Sequence, residues 1–328
     1  MRKGEIEVKT IYITHPHTFN QTDLPPTVLA LGYFDGFHLG HQKVVETAKK
    51  EAKKKGIACS VMTFDPHPSV VLKKDVTHVE YITPLHHKEE LFAQSDIDYL
   101  YIVNFSSEFA SLLPQQFVDE YIVGLNVKHV VAGFDFTYGR LGKGTMKTLP
   151  VHADGRFTQT TVEKLTFNNE KVSSTLIRDF IQTGEVDKLP PLLGRFYTIK
   201  GIVVDGEKRG RTIGFPTANV KPNGDYIIPK MGVYAVRLKT GSKWYTGVCN
   251  IGVKPTFHEN RTVPSIEVHL FDFNEDIYNE EVTVEWHVRI RSERKFPSID
   301  ELVKQIGQDK EHAKQYFEKI DEHTCFLS

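Results

Sequence analysis

Residues 32–41 read GYFDGFHLGH, and they stand between a short apolar run at 28–31 and a run rich in Lys, Glu and Ala. This pattern predicts a buried strand, a glycine-containing turn, and a helix that begins near His38 and ends at Gly56. The start of such a helix collects backbone N–H groups and the positive end of the helix dipole, which together attract anions. His38 and His41 are three residues apart, so both rings can reach the same bound group.

The same ten residues permit three interpretations: a phosphate site, a structural turn or a metal site. Phosphate binding is favoured, because Gly36 and Gly40 let the backbone approach a bulky anion closely. A metal site needs more ligands, and the chain has no His-Glu-x-x-His motif. Its other early histidines lack zinc-type spacing, namely His15, His17, His67, His86 and His87. A P-loop is excluded as well, because Gly142-Lys143 is followed by Gly144 where that motif requires Ser or Thr.

The composition is that of an ordinary globular protein, with 40% hydrophobic and 25% charged residues in a chain of 328. This length predicts about two domains. The net charge of −1 gives no general attraction to nucleic acid or to anionic membranes. The three cysteines are widely spaced, which is typical of a reducing cytosol and not of a disulfide framework: Cys59, Cys249 and Cys325. No apolar stretch reaches signal-peptide or membrane-spanning length, so we expect a cytoplasmic protein.

The first half of the chain alternates apolar, strand-like runs with amphipathic, helix-like runs. The strand-like runs cover residues 28–31, 57–64, 97–105 and 127–134, and the helix-like runs cover residues 39–55, 86–95, 114–125 and 173–181. This alternation predicts a parallel sheet with helices on both faces. TFDPHP at 63–68 and GFDFTYGR at 133–140 then fall at the same sheet edge as GYFDGFHLGH. Ligands bind at the carboxyl edge of such sheets, so we expect the functional site there.

The second half changes to strand after strand beyond Pro190-Pro191, a pair that we expect to break the chain between two domains. Strands are predicted at residues 198–204, 232–239, 243–249, 265–271 and 282–290, with a hairpin turn at 240–242. In the last strand, five apolar residues are expected to share one face: Val282, Val284, Trp286, Val288 and Ile290. Many short antiparallel strands predict a small barrel or sandwich. A capping box at 298–301 begins an amphipathic helix that we expect to continue to Ile320.

Several motifs, in order along almost the whole chain, resemble those of one known family. GYFDGFHLGH, TFDPHP, GFDFTYGR and SSTLIR (173–178) resemble the nucleotidyltransferase module of the prokaryotic bifunctional riboflavin kinase/FAD synthetases. The second half is similar to the riboflavin kinase module of that family, through GRTIGFPTANV (210–220), GVYAV (232–236), GVCNIGVKPTF (247–257) and IEVHLFDF (266–273). The resemblance implies a Rossmann-like α/β nucleotidyltransferase domain for FMN adenylylation over residues 1–186. It also implies an antiparallel β-barrel riboflavin kinase domain with a C-terminal helix over residues 187–328.

The resemblance implies two reactions in sequence. Riboflavin and ATP would give FMN in the second domain, and FMN and ATP would give FAD and pyrophosphate in the first. Mg²⁺ would accompany ATP, and no tightly bound prosthetic group, nucleic acid or membrane is expected as a partner. Two alternatives stay open: a different nucleotidyltransferase with a flavin-binding β domain, and a non-catalytic flavin-binding regulator. A regulator would be expected to lack reactive residues that are all present here: His38, His41, Thr217, Asn219 and Glu267.

In the first domain, the resemblance implies that His38 and His41 hold the ATP phosphates and stabilise the charge-rich transition state. Nucleotide binding would extend to the surrounding loop and to a second helix start: Gly32, Phe34, Asp35, Gly36, Gly40, Ser173, Ser174 and Arg178. From the residues alone, Ser173 and Ser174 could equally form a helix N-cap, and the two roles are compatible. The resemblance places three further residues along the substrate groove, of which the first two could also be turn residues: His67, Asp135 and Phe136.

In the second domain, the resemblance makes Glu267 the base that deprotonates the riboflavin hydroxyl, whereas strand alternation alone makes it a solvent-facing residue. Thr217 and Asn219 offer oxygen ligands of the kind that Mg²⁺ takes, or else form an ordinary turn. The resemblance also implies that Asn250 binds the substrate. The resemblance also implies a phosphate-binding flap in which Gly210 and Gly214 contact the nucleotide. Its glycines and basic residues are Gly201, Gly206, Gly210, Gly214, Lys208, Arg209 and Arg211.

Overall fold

The computed structural model describes residues 8–73, 75–206, 210, 213–254 and 263–324. The chain divides into two compact units, Met1–Ser174 and Thr175–Ser328. Each unit has buried hydrophobic clusters of its own. Within the described residues, no helix is both long enough and apolar enough to span a bilayer.

A six-stranded sheet forms the centre of the first unit. Its strands are β1 (Lys9–Ile13), β2 (Thr27–Leu31), β3 (Ala58–Asp65), β4 (Tyr99–Asn104), β5 (Val127–Gly133) and β8 (Thr158–Val162). Two short hairpins accompany them, formed by β6 (Thr137–Tyr138) with β7 (Gly144–Thr145), and by β9 (Thr166–Phe167) with β10 (Glu170–Lys171). The sheet has the order β1-β4-β3-β2-β5-β8, and every neighbouring pair is parallel. The predicted parallel sheet is therefore confirmed.

Strand β2 lies between β3 and β5 and is buried on both faces. Val28 and Ala30 pack into one hydrophobic cluster, whereas Leu29 and Leu31 pack into the other. This two-sided burial explains why β2 is a continuous apolar run and not an alternating one. The chain proceeds from β2 to β3 on one side, while β5 lies on the other. Strand order thus reverses at β2, and a crevice forms at its carboxyl end.

Helices cover both faces of this sheet. They are α1 (Leu39–Lys55), α2 (Pro68–Leu72), α3 (Leu85–Ala93), α4 (Ser107–Ala110), α5 (Pro114–Phe117) and α6 (Leu149–Ala153). Helix α1 ends at Gly56, whose φ of 65° gives the left-handed cap that the sequence predicted. Helix α5 continues into a π-helical segment, Val118–Val123, so the single helix predicted over 114–125 consists of two joined pieces.

A closed antiparallel barrel forms the second unit. Its strands are β11 (Tyr197–Val204), β12 (Ala218–Pro222), β13 (Gly232–Thr240), β14 (Lys243–Lys254), β15 (Val263–Leu270) and β16 (Glu281–Arg291), in the order β11-β12-β15-β14-β13-β16. Helices α7 (Ser174–Thr183), α8 (Pro190–Leu193) and α9 (Ile299–Thr324) accompany the barrel. The predicted barrel with a C-terminal helix is confirmed, with β12 as a strand that the sequence pattern missed.

Strand β16 contains an irregularity that the sequence did not predict. Opposite β13, Ala235 pairs with Val288 and Val236 pairs with Trp286, so that His287 is an extra residue. Such a β-bulge reverses the alternation of faces. Trp286 is fully buried in the barrel, whereas Val288 packs against the cluster that α9 forms with the outer face. The expectation that all five apolar residues of this strand share one face is therefore wrong.

Pro190 and Pro191 do not break the chain, as the sequence analysis expected, but begin helix α8. Proline is favoured in the first turn of a helix, because the N–H that it lacks has no partner there. Leu192 and Leu193 in the same turn are 1% and 0% exposed, so this segment is a packed part of the second unit.

Helix α9 packs against the barrel through an ion pair, in which the Asp309 carboxylate is buried, and through an apolar contact. The Arg291 guanidinium donates to both carboxylate oxygens of Asp309, with Nε–Oδ1 and Nη2–Oδ2 distances of 2.9 and 2.8 Å. Ala313 and Phe317 of α9 belong to the hydrophobic cluster on the outer barrel face. The Ser298 hydroxyl oxygen accepts the N–H of residue 301 at 3.3 Å, as the predicted helix start requires.

Candidate active sites

Residues 32–38 form the loop between β2 and α1, and buried hydrogen bonds fix its path. Gly36, with a φ of +82°, donates its backbone N–H to Thr83 Oγ1 at 2.7 Å. The Asp35 carboxylate is 2% exposed and accepts the backbone N–H groups of Ile82 and Thr83 at 3.4 and 3.1 Å. The structure thus places Asp35, which the resemblance assigned to nucleotide binding, where it holds the loop.

His38 and His41 lie together at the start of α1. Nδ1 of His38 accepts the backbone N–H of His41 at 3.2 Å, so His38 caps the helix. The two rings stack, with their centroids 3.6 Å apart and their planes 15° from parallel. Because Nδ1 of His38 is an acceptor, the proton of its neutral ring lies on Nε2.

Burial keeps both rings uncharged at neutral pH. It lowers the pKa of His38 to about 4. Burial, aided by the nearby positive charges of Lys88 and Lys171, holds the pKa of His41 well below its usual range. Among the described residues, Nδ1 of His41 has no hydrogen-bond partner. The pair can therefore donate ring N–H groups to an anion without carrying charge itself.

Glycines and a buried aromatic ring shape the space around the two histidines. A Cβ at Gly40 would lie 3.0 Å from Cε1 and 3.1 Å from Nδ1 of His38, and one at Gly32 would lie 2.9 Å from the Phe34 ring. Phe34 is 1% exposed, and its ring meets the His41 ring edge-on at a centroid distance of 5.2 Å. The structure brings these five predicted residues into one packed group.

Ser174, the last residue of the first compact unit, contacts the same loop. The Ser174 hydroxyl donates to the backbone oxygen of Asp35 at 2.9 Å. Ser173 precedes it and is half-buried, and Arg178 lies on α7 within the second compact unit. Of the predicted second helix start, Ser174 is thus joined to the histidine loop by one direct hydrogen bond.

Two predicted groove residues lie at the carboxyl ends of β3 and β5. His67 caps α2, with Nδ1 accepting the N–H of residue 69 at 3.1 Å, and its ring packs edge-on against Tyr33 at 4.7 Å. Asp135 forms an ion pair with Lys171, with a distance of 2.5 Å between Oδ2 and Nζ. Both partners of this pair influence the pKa of His38, so the pair is an electrostatic neighbour of the histidines. Phe136 follows Asp135 and is half-buried.

Three predicted residues of the second unit lie in one row across the barrel. Asn219 of β12 and Asn250 of β14 are both directly opposite Glu267 of β15. Residues directly opposite on neighbouring strands point to the same face, so the three side chains share one patch. Ile266 and Val268 are 2% and 0% exposed, which places Glu267 on the opposite, outer face. The Glu267 carboxylate is therefore flanked by two amide side chains.

Thr217 precedes β12 and lines a cavity of about 410 Å³ that also touches Val203 and residues 273–278. A Cβ at Gly210 would lie 3.6 Å from Thr217 Oγ1, and a Cβ at Gly206 would overlap the Asn219 side chain. Gly206 is therefore packed directly against the Asn219 side chain, and Gly210 against the Phe215 backbone oxygen, which would lie 2.2 Å from an added Cβ.

The predicted flap is described only in part. Gly201 lies within β11, and Gly214 has a φ of +85° in the segment before β12. Lys208, Arg209 and Arg211 lie outside the described residues. In the ranges that are described, no group of three or more His, Cys, Asp or Glu side chains could hold a metal ion. That result does not concern Thr217 and Asn219, because their possible metal ligands are a hydroxyl oxygen and an amide oxygen.

The structure reveals two residues that the sequence analysis missed. Lys88 on α3 is 2% exposed, and its Nζ donates to the Tyr33 backbone oxygen at 3.1 Å. His269 on β15 is 8% exposed, and its Nδ1–H donates to the Pro216 backbone oxygen at 2.8 Å. The hydrogen-bond partner of each residue could not be predicted from the local sequence, because each bond joins segments that are far apart in the chain.

Comparison with known families matches both halves of the chain. A family model described as FAD synthetase matches residues 20–176, and one described as riboflavin kinase matches residues 193–317. A bifunctional riboflavin kinase/FMN adenylyltransferase of Bacillus subtilis (strain 168) is 55% identical over 314 residues, which are 95% of this chain and 99% of the relative. The chain belongs to the bifunctional riboflavin kinase/FMN adenylyltransferase family.

Other members and a solved structure extend this finding. The riboflavin kinase/FMN adenylyltransferase of Listeria monocytogenes is 47% identical over 96% of this chain and 100% of the relative. A crystal structure from Streptococcus pneumoniae, titled as a macrolide-efflux protein, is 37% identical and superposes with a TM-score of 0.85. It covers 94% of this chain and 99% of that one. The FAD synthetase match contains the histidine loop, and the riboflavin kinase match contains the Glu267 row.

Proposed function

We propose that this chain phosphorylates riboflavin to FMN within residues 187–328 and then adenylylates FMN to FAD within residues 1–186, with ATP as the donor in both steps. The observation that carries the proposal is that two chemically different sites fall in the two separately matched regions. One holds a carboxylate between two amides, at Glu267. The other holds two uncharged imidazoles at a helix start, His38 and His41. This difference suits the two reactions, since only the first must remove a proton from a hydroxyl group.

In the first reaction, the terminal hydroxyl oxygen of the riboflavin ribityl chain attacks the γ-phosphorus of ATP, and ADP leaves. Glu267 takes the proton of that hydroxyl as the new O–P bond forms. Asn219 and Asn250 can orient the carboxylate, because amide N–H groups donate to carboxylate oxygens. Asn250 also contacts the riboflavin substrate in this proposal.

Mg²⁺ would enter the second unit with ATP, and Thr217 and Asn219 are the residues that would hold it. Their hydroxyl and amide oxygens are hard donors of the kind that Mg²⁺ takes. The cavity of about 410 Å³ that Thr217 lines supports this fit. When bound, Mg²⁺ would neutralise the negative charge that develops on the phosphates. Gly210 and Gly214 lie in the segment proposed to contact the nucleotide phosphates.

In the second reaction, a phosphate oxygen of FMN attacks the α-phosphorus of ATP, and pyrophosphate leaves. The backbone N–H groups at the start of α1 and the ring N–H groups of His38 and His41 hold the phosphates and stabilise the transition state. Ser173, Ser174 and Arg178 would bind the leaving pyrophosphate through hydroxyl, backbone N–H and guanidinium groups. Residues proposed to line the FMN groove are His67, Asp135 and Phe136.

We place both reactions in the cytoplasm. Cys59 and Cys249 are free and buried, and burial raises the pKa of the Cys59 thiol to about 12. Unreactive, reduced thiols suit a reducing compartment. Fractionation of the source cells, with FAD-forming activity followed in each fraction, tests this location.

The direct test is to incubate the chain with riboflavin, ATP and Mg²⁺ and to separate the products by chromatography. We expect FMN to appear first and FAD to follow. Formation of neither product would contradict the proposal. FAD formed from added FMN, without FMN formed from riboflavin, would instead favour a nucleotidyltransferase with a flavin-binding barrel.

Two substitutions should separate the sites within one chain. Glu267→Gln keeps the shape of the side chain but removes the base, so riboflavin phosphorylation should fall by about 10²- to 10⁴-fold. FAD synthesis from added FMN should be unchanged. His41→Ala removes a donor to the phosphates and should lower FAD synthesis by about 10²-fold, with riboflavin phosphorylation unchanged. If either variant lost both activities while remaining folded, the two sites would not be separate.

A further inference from the structure

Lys88 carries a buried ammonium group to which neither proposed reaction gives a role. The residue lies on α3 and is 2% exposed. Ionised side chains buried to this degree are normally paired with an opposite charge. Among the described residues, no carboxylate oxygen lies within 4.0 Å of Lys88 Nζ, and the hydrogen bonds of this group go to neutral oxygens. Within the described residues, this buried positive charge therefore has no carboxylate in direct contact with it.

The neutral oxygens belong to the loop of residues 32–38 and to β3. Lys88 Nζ donates to the Tyr33 backbone oxygen at 3.1 Å and lies 3.4 Å from Thr63 Oγ1. The Thr63 hydroxyl donates to the same Tyr33 oxygen at 2.8 Å. The Tyr33 ring also faces Nζ, with its centroid 4.4 Å away. Lys88 thus ties the first residues of the loop to the end of β3.

The residues just before α3 hold the middle of the same loop. Ile82 and Thr83 donate their backbone N–H groups to the Asp35 carboxylate, and the Thr83 hydroxyl accepts the N–H of Gly36. Contacts from residues 82–88 therefore fix the loop at its beginning and at its middle. The loop leads directly into His38, so these contacts also set where the two imidazoles lie.

The positive charge of Lys88 also acts electrostatically on His41. Burial lowers the pKa of His41, and the charges of His38 and Lys88 lower it further. Burial lowers the pKa of Lys88 itself to about 8, against the opposing effect of the Asp35 and Asp65 carboxylates. The groups that face Lys88 are these two carboxylates, the Tyr33 phenol ring and the His41 imidazole. Lys88 is therefore largely charged at pH 7.

We propose that Lys88 is a positioning residue of the adenylyl-transfer site, which fixes the histidine loop and supplies, beneath the bound phosphates, a positive charge that has no carboxylate in direct contact. This inference rests on the proposed FMN adenylyltransferase activity. Phosphates held at the start of α1 would add negative charge that the ammonium can stabilise. Lys88 acts through the loop and through its electric field, and it does not touch the substrate.

The test compares three variants of the full chain in both reactions. Lys88→Met removes the charge at similar length, Lys88→Arg keeps the charge, and Lys53→Met removes one exposed charge from α1 as a matched control. We expect Lys88→Met to lower kcat/KM for FAD synthesis by about 10- to 100-fold. Lys88→Arg should recover most of this loss, and Lys53→Met should match the unsubstituted chain. Riboflavin phosphorylation should be unchanged in all three.

A pH profile separates the charge of Lys88 from a purely structural role. FAD synthesis by the unsubstituted chain should decline above about pH 8, where Lys88 loses its proton. This decline should be absent in Lys88→Met and shifted upward by more than one pH unit in Lys88→Arg. A decline at the same pH in all three proteins, or normal FAD synthesis by Lys88→Met, would overturn the inference. If the unsubstituted chain makes no FAD at all, the proposed function fails instead.

Discussion

His38 and His41 can bind phosphate in a way that two charged rings could not. Their centroids lie 3.6 Å apart, a distance at which two positive rings would repel each other strongly. Because burial keeps His38 neutral down to about pH 4, the pair offers ring N–H groups without this repulsion. The positive charge near the site comes from lysines instead, from Lys171 in its ion pair with Asp135 and from Lys88 beneath the loop.

Gly40→Ala tests whether His38 must keep its position. The added Cβ would lie 3.0 Å from Cε1 and 3.1 Å from Nδ1 of the His38 ring, so the ring would move out of its stack. We expect FAD synthesis from FMN to fall about 10-fold, measured as kcat/KM, while riboflavin phosphorylation stays the same. Gly307→Ala is the matched control, since Gly307 is also helical and, among the described residues, no atom beyond its chain neighbours and its own helix backbone lies within 4 Å of its added Cβ. Full activity of Gly40→Ala would contradict the proposed role of His38.

Some of these residues could be assigned from the sequence and others could not, for a physical reason. The residues of the Glu267 row stand in short local motifs, and strand alternation alone already placed Glu267 on the outer face. Lys88 has partners 55 and 25 residues away, Tyr33 and Thr63, so no local pattern identifies it. A single lysine in an amphipathic helix is usually solvent-exposed. Only the packing of α3 against the loop shows that Lys88 is buried.

The hydrophobic periodicity of the sequence correctly predicted those helices and strands whose bounds are set by nearby residues. Strand β2 and helix α1 lie within one residue of their predicted bounds, because a two-sided apolar run and a glycine cap define them. The bulge in β16 has a distant cause. His287 packs against Tyr316 and Phe317 of α9, with ring centroids 5.8 and 5.0 Å away, and this contact cannot be read from the strand itself.

Strand β15 links the proposed base to the proposed metal-binding turn, and this link can be tested. His269 lies two residues after Glu267 and donates to the oxygen of Pro216, which directly precedes Thr217. His269→Phe should raise the Mg²⁺ concentration for half-maximal riboflavin phosphorylation by about 10-fold, as loss of an outer hydrogen bond does in metal sites. His269→Asn keeps an N–H donor and should largely restore it. FAD synthesis from FMN is the internal control, and an unchanged Mg²⁺ requirement in His269→Phe would contradict the link.

The whole molecule consists of two compact units, and each unit contains buried hydrophobic clusters of its own. The sheet unit contains the histidine loop, and the barrel unit contains the Glu267 row. A substitution in one unit can therefore be judged against the activity of the other. The two units also differ in their titratable groups, so they should respond differently to acid.

Acid should destabilise the first unit before the second. Burial lowers the pKa of several histidines in the described part of the first unit, namely His17, His38, His41 and His129. In the described part of the second unit it lowers the pKa of His269. Between pH 6.5 and about 4, the unfolded chain binds a proton at His38 that the folded chain does not. The free energy of unfolding therefore falls as the pH decreases through this window. A shift of one pKa unit corresponds to about 1.4 kcal/mol. The lowered pKa of His38 alone should therefore reduce the free energy of unfolding by about 3 kcal/mol at pH 4.

Hydrogen exchange of the backbone amides, corrected for the intrinsic effect of pH, can follow the two units in one experiment. As the pH is lowered from 7 to 4.5, we expect protection to fall first in β2 and β5 of the sheet and only later in β13 and β14 of the barrel. His38→Gln removes one titrating group and should shift the loss of protection in the sheet to lower pH, with the barrel unaffected. Earlier loss in the barrel, or no shift in the variant, would show that buried neutral histidines do not control the acid stability of the first unit.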